Sequence, residues 1–138
     1  MKQLSFALLL CMAVMNCRAQ NTENEKVVKT FYSGFENHDW NTVASQLASD
    51  FTFSSAAGDD HISLAQFKEK CFPTNKFFKK ANFVNWGEGG DKLFLLVEIT
   101  TTDGKLIRNV DVYTFKDGKM ESMQCFFGSG GGYPGNGK

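Results

Sequence analysis

Asp111 and Glu98 are two carboxylates set within alternating, largely apolar segments of a 138-residue chain. A carboxyl group kept dry can give or take a proton near neutrality. Alternation alone favours a plainer reading for Asp111, a solvated side chain on the more polar face of a strand. His61 follows Asp59 and Asp60 in a loop of small and acidic residues, where it could transfer protons or simply be solvated. Asp59, Asp60 and His61 have no further ligands at a recognisable spacing, so no metal site is expected. His38 precedes Asp39 at a helix junction, and a cation there would complement the helix dipole. Ser55 lacks a histidine to activate it, and the terminal Gly137-Lys138 lacks the Ser or Thr of a phosphate loop. Cys71 and Cys125 read as two small buried residues, or as a pair in an oxidising compartment.

The elements that would position these groups follow from periodicity. Val28, Phe31, Tyr32 and Phe35 recur at i, i+3, i+4 and i+7, which predicts a first helix. Asp39 caps a short second helix carrying Trp40, Val43 and Leu47, and Phe51-Thr52-Phe53 reads as a strand. Ser63 and Gln66 have capping-box spacing ahead of a third helix that Pro73 ends. From Lys76 the period changes to two. Strands are predicted over Phe77 to Trp86, Lys92 to Thr102, Lys105 to Phe115 and Lys119 to Phe127. Asp103-Gly104 and Asp117-Gly118 supply hairpin turns. Helices followed by an antiparallel meander make an α+β layer.

Taken as a two-residue hairpin, Asp103-Gly104 pairs Thr102 with Lys105. Phe94, Leu96, Glu98, Asn109, Asp111, Tyr113 and Phe115 then share one face, with Leu93, Leu95, Val97, Val110 and Val112 on the other. Both faces are too apolar to be bare. Helices cover one, and a second copy of the chain is expected on the other.

Residues 1–19 read as an export signal, basic at Lys2 and apolar from Leu4 to Met15, too short to span a bilayer. Cleavage after Ala19, or before a lipidated Cys17, both fit. The product would be periplasmic, secreted or lipid-anchored, and any membrane attachment would come through that anchor. Cleavage after Ala19 removes Lys2 and Arg18, so the 15 basic side chains become 13 against 15 acidic, a net of −2. That balance argues against nucleic acid as a partner. The globular domain spans residues 20–127. Residues 128–138, with six of the 13 glycines, form a tail expected to be disordered.

Val27-Val28-Lys29-Thr30-Phe31-Tyr32, the Phe51-Thr52-Phe53 strand and Asp111-Val112-Tyr113-Thr114-Phe115-Lys116-Asp117-Gly118-Lys119-Met120 resemble the SnoaL-like branch of the nuclear transport factor 2-like superfamily. The resemblance implies a cystatin-like cone, a curved, mostly antiparallel sheet wrapped around helices, that often dimerises through its outer sheet face. It turns Asp111 into the cone. Phe31, Phe35, Phe53, Ser55, Leu96, Glu98, Asn109 and Tyr113 are the expected lining, with no cofactor.

Matched to ketosteroid isomerase, whose oxyanion hole joins a tyrosine to a protonated aspartic acid, Asp111 falls on the aspartic acid. Phe31 falls on the tyrosine and Ser55 near the base, so two of the three parts are absent. SnoaL-type cyclases use an acidic residue at the strand position of Asp111, and Glu98 would lie diagonally across the hairpin from it. Three readings follow: a binding domain for a small apolar ligand, an isomerase- or cyclase-like enzyme using Asp111, or a dimeric interaction module whose cone is filled by its own Phe side chains.

Overall fold

Helix α1 runs through residues 22–36 and buries Val28, Phe31, Tyr32 and Phe35 along one stripe. The computed structural model describes residues 22–128. The expected leader, Cys17 and the tail beyond Gly128 lie outside the described residues.

A Schellman turn ends α1. The Asp39 N–H donates to the Gly34 carbonyl at 2.8 Å and the His38 N–H to the Phe35 carbonyl at 3.3 Å. His38 holds the left-handed conformation this requires, with φ at +56°. Asp39 then caps α2 (Trp40–Ser45), accepting from the Asn41 N–H at 2.9 Å and the Thr42 N–H at 3.3 Å. The two helices approach so closely at Gly34 that a Cβ there would stand 2.6 Å from Val43 Cγ2.

Strand β1 (Leu47–Ser55) is longer than the Phe51–Phe53 core read from alternation. Its antiparallel neighbour β2 (Ile62–Ser63) leads into α3 (Leu64–Lys70), whose Ser63–Gln66 capping box is formed as expected. A 3₁₀ segment, Phe72–Phe77, follows with Pro73 in its first turn. Strands β3 (Phe78–Gly89), β4 (Lys92–Thr101), β5 (Leu106–Lys116) and β6 (Lys119–Phe127) form the meander. The sheet order is β2-β1-β6-β5-β4-β3, antiparallel except where β1 runs parallel to β6. Helices pack against this curved sheet in an α+β cone. Phe31, Phe51, Phe67, Leu95, Val97 and Tyr113 are among the side chains buried between the layers. Each large apolar side chain so buried stabilises by about 1.5–3 kcal/mol.

The β5–β6 hairpin turns at Asp117-Gly118, both at positive φ, with Lys116 facing Lys119. The β4–β5 hairpin corrects the sequence reading. Its loop is three residues long, closed by Thr101 and Lys105, with Gly104 at φ +83°. Thr101 Oγ1 accepts from the Lys105 N–H at 3.0 Å and donates to Asp103, which fixes the longer loop. One added loop residue moves the register by one and reverses β4 relative to β5. Leu95, not Leu96, faces Asp111, and Val97, not Glu98, faces Asn109. Leu96 and Glu98 therefore leave the inner face, and Leu93, Leu95 and Val97 take it over, all three buried.

Candidate functional site

Asp111 lies at the centre of β5, fully buried. Its Oδ2 accepts from the Tyr32 hydroxyl of α1 and, at 3.0 Å, from the Tyr113 hydroxyl two residues along its own strand. Burial pushes the carboxyl above its ordinary range, while hydrogen bonds from Cys125, Tyr32 and Tyr113 pull the other way. Burial, reinforced by the Asp111 charge, holds both phenols well above 10, so both remain donors. The unit is a buried carboxyl clasped by two tyrosines.

The tyrosine of this unit is Tyr32, next in sequence to the expected Phe31. The helical stripe held both residues, and only the packed structure shows which ring reaches Asp111. Phe31 instead lines an apolar cavity of about 390 Å³ between the helices and the inner sheet. Phe35, Phe53 and Asn109 line it as well, as do Tyr32, Phe67 and Phe78. Asp111 and Tyr113 lie beneath this lining rather than in it, both with no exposed surface.

Ser55, Leu96 and Glu98 are not part of the cavity wall. Ser55 sits at the end of β1 beside a smaller pocket of about 170 Å³, and its hydroxyl donates to Asp59 Oδ2 at 2.7 Å. Asp59 itself lines the cavity beside Phe31, although its loop reads as solvated from the sequence. Leu96 and Glu98 face outward because of the shifted hairpin register. Glu98 accepts from Arg108 at 2.6 Å and from Asn82 at 3.3 Å, and these bonds, Arg108 first, hold its carboxyl below the ordinary range.

The cavity floor is buried and its rim is wet. Asn109, Met123 and Cys125 are buried, whereas Ala57, Lys70, Thr74 and Phe127 are exposed. Cys71 and Cys125 both line the space as free thiols. Burial raises Cys71 to about 11 and Cys125 higher still, so neither is a thiolate nucleophile near neutrality. His61, exposed and paired with Asp60 at 2.5 Å, belongs to a separate depression with Trp40, Phe51 and Lys68. No group of three or more His, Cys, Asp or Glu among the described residues is placed to hold a metal ion.

A comparison with functionally curated proteins finds no match. Among solved structures, an NTF2-like protein of unknown function from Cytophaga hutchinsonii is 20% identical, with a TM-score of 0.58 over 75% of this chain and 88% of that one. A cystatin-like-fold protein of unknown function from Methylobium petroleophilum is 14% identical, with a TM-score of 0.66 over 85% and 82%. A de novo designed protein with a curved β-sheet is 15% identical and reaches 0.67 over 78% and 86%. That a designed chain shares the cone shows how little the fold alone says about activity. Residues 28–123 match the family profile of the SnoaL-like domain, and the chain belongs to that family.

Proposed function

We propose that this is an exported SnoaL-like domain that binds a small apolar ligand in its cone without turning it over. One observation supports this above the others. Six of the 16 residues lining the cavity of about 390 Å³ are phenylalanines, while Asp111, fully buried on the inner face, lies under the wall with its Oδ2 occupied by two tyrosines. Ligand pockets are commonly apolar spaces of this size with a few polar groups. A general acid must reach the proton it transfers, and Asp111 does not border the cavity. Use of Asp111 as acid or base, the alternative reading, would have to pass through Tyr32, which does border it.

Saturable enhancement of a naphthalene-based fluorescent dye tests the reading. The wild-type domain is expected to bind the dye. Cys71→Trp, which adds bulk at the half-buried edge of the cavity, is expected to weaken binding at least tenfold. Asp111→Asn is expected to leave dye affinity within about threefold, because its side chain does not touch the ligand. Absence of saturable binding by the wild type would sink the proposal.

The outer sheet face supports a second part of the proposal, a homodimer. Phe126 and Val110 are half exposed and directly paired, and Leu96 pairs with Val110 on the next strand. This apolar row crosses three strands and is left partly exposed by the described residues. A second copy, stacking the same row against it, would remove both from water in an isologous contact.

A further inference from the structure

The cavity opens at one end of the sheet. Phe78 starts β3 opposite Thr101, where the β4–β5 loop begins, and Phe127 ends β6 opposite Asn109, near the start of β5. Lys70, Thr74, Phe78 and Phe127 all border the cavity. Two large apolar side chains at this end are bare. Phe127 is 49% exposed, and Phe77, between Thr74 and Phe78 in sequence, is 57% exposed. Exposed rings taken singly are ordinary. The charge beside these two is not.

Between residues 68 and 80 stand Lys68, Lys70, Lys76, Lys79 and Lys80 against Glu69 alone, a net of +4, and all six are exposed. None of the five lysines has a carboxylate within ion-pair distance among the described residues. Lys26, Lys29, Lys105, Arg108 and Lys116, by contrast, are each paired. The Lys76 ammonium stands 4.9 Å from the centre of the Phe77 ring, so charge and bare ring are presented together. The opposing carboxylates at this end are engaged. Asp59 Oδ2 takes the Ser55 hydroxyl, and Asp103 pairs with Lys105. Turns at the opposite end of the sheet mix the signs, with Glu88, Asp91 and Lys92 in one and Lys116, Asp117 and Lys119 in the other. A chain near neutral overall thus keeps uncompensated positive charge beside the cavity mouth.

We propose that the open end of the cone docks on an anionic lipid surface, with Phe77 and Phe127 entering the boundary of headgroups and acyl chains and the lysines of residues 68–80 on the phosphates. Lysine stems can lie along that boundary while their ammonium groups stay in water. Contact in this pose also covers the apolar mouth and turns it toward the bilayer. The docking needs neither a lipid anchor nor an occupant in the cavity.

Co-sedimentation of the chain from Gln20 onward, which carries no lipid of its own, tests this with phosphatidylcholine vesicles containing about 30% phosphatidylglycerol. The wild type is expected to bind them at low salt. Binding should fall at least tenfold in about 0.5 M sodium chloride and be at least tenfold weaker on pure phosphatidylcholine. Lys76→Glu/Lys79→Glu is expected to lose at least tenfold in affinity with the wild-type unfolding midpoint kept, and Phe77→Ser about three- to tenfold. Lys92→Glu/Lys119→Glu, the same change of charge at the opposite end, should stay within about twofold. The dye titration reads the cavity and not this surface, so each proposal can fail alone. No binding to the anionic vesicles, equal weakening by the two double variants, or an unmoved affinity in Phe77→Ser would each overturn the docking. Equal affinity for a single-stranded oligonucleotide, lost with the same lysines, would overturn it too and assign the patch to a polyanion in water.

Discussion

Glu98 and Asp111 lie on the two strands of one hairpin, close in register and on opposite faces of the sheet. Glu98, on the outer face, sits directly across from Arg108 and takes two of its hydrogen bonds from neighbours in the same cross-strand row. Water and a guanidinium keep it charged. Asp111, on the inner face, has no cation among its hydrogen-bond partners and no contact with water, only phenols and a thiol. One carboxyl is held below its ordinary range and the other above it, by surroundings on the two faces of a single sheet. Environment, rather than residue type, sets what each can do.

The contrast between faces breaks most readily at Leu95 and Leu96. Leu95 is fully buried against the helices, and truncation to Ala should cost about 2–5 kcal/mol of unfolding free energy by chemical denaturation. Leu96→Ala, one residue away on the outer face, should cost under about 1 kcal/mol in the protomer. It should instead shift the mass seen by light scattering at micromolar concentration from two copies toward one. The opposite ranking in stability would return the hairpin to the two-residue loop and put Leu96 and Glu98 back inside. A wild-type chain that scatters as a monomer would remove the dimer while leaving the register intact.

Tyr32→Phe sharpens the same comparison from within. It deletes a donor to a buried carboxyl and adds nothing, so a loss of about 1–3 kcal/mol is expected. Because the Tyr32 bond pulls the Asp111 pKa down, its removal should raise that pKa further, read by carboxyl-detected NMR. An unchanged Asp111 titration would mean that the hydroxyl does not hold the carboxyl in solution.

What the sequence made legible divides along the same line. The α1 stripe, the Ser63–Gln66 capping box and the Asp117-Gly118 turn are local, and each formed where its residues indicated. The β4–β5 register was not legible. Asp103-Gly104 suits a loop of two residues or three, and the choice rests on the Thr101 side chain, which bonds Asp103 and Lys105. Nor could hydrophobicity flag the slip, since Leu93 to Val97 is apolar on both faces and reads equally well either way. Asp111 was placed inward only by family resemblance, and its clasp by Tyr32 depends on a helix 79 residues away in sequence. Contacts of that separation leave no local pattern.

The smallest effect is expected at Glu98, and its value lies in its sign. Glu98→Gln removes an ion pair at the sheet surface, worth about 0–1 kcal/mol at neutral pH. The native pKa of Glu98 lies below its ordinary 4.5, so its contribution is present above that value and is lost as pH falls through the lowered one. Asp111 behaves in the opposite sense. Its native pKa lies above its ordinary 3.8, so the stability it favours is full below that value and declines as pH rises through the raised one. Unfolding curves across pH 2 to 8 should therefore show Glu98→Gln flattening the acid limb alone, and Asp111→Asn removing a decline on the other side. If both variants flatten the same limb, the two carboxyls share one environment, and the division of the hairpin into a wet face and a dry one is wrong.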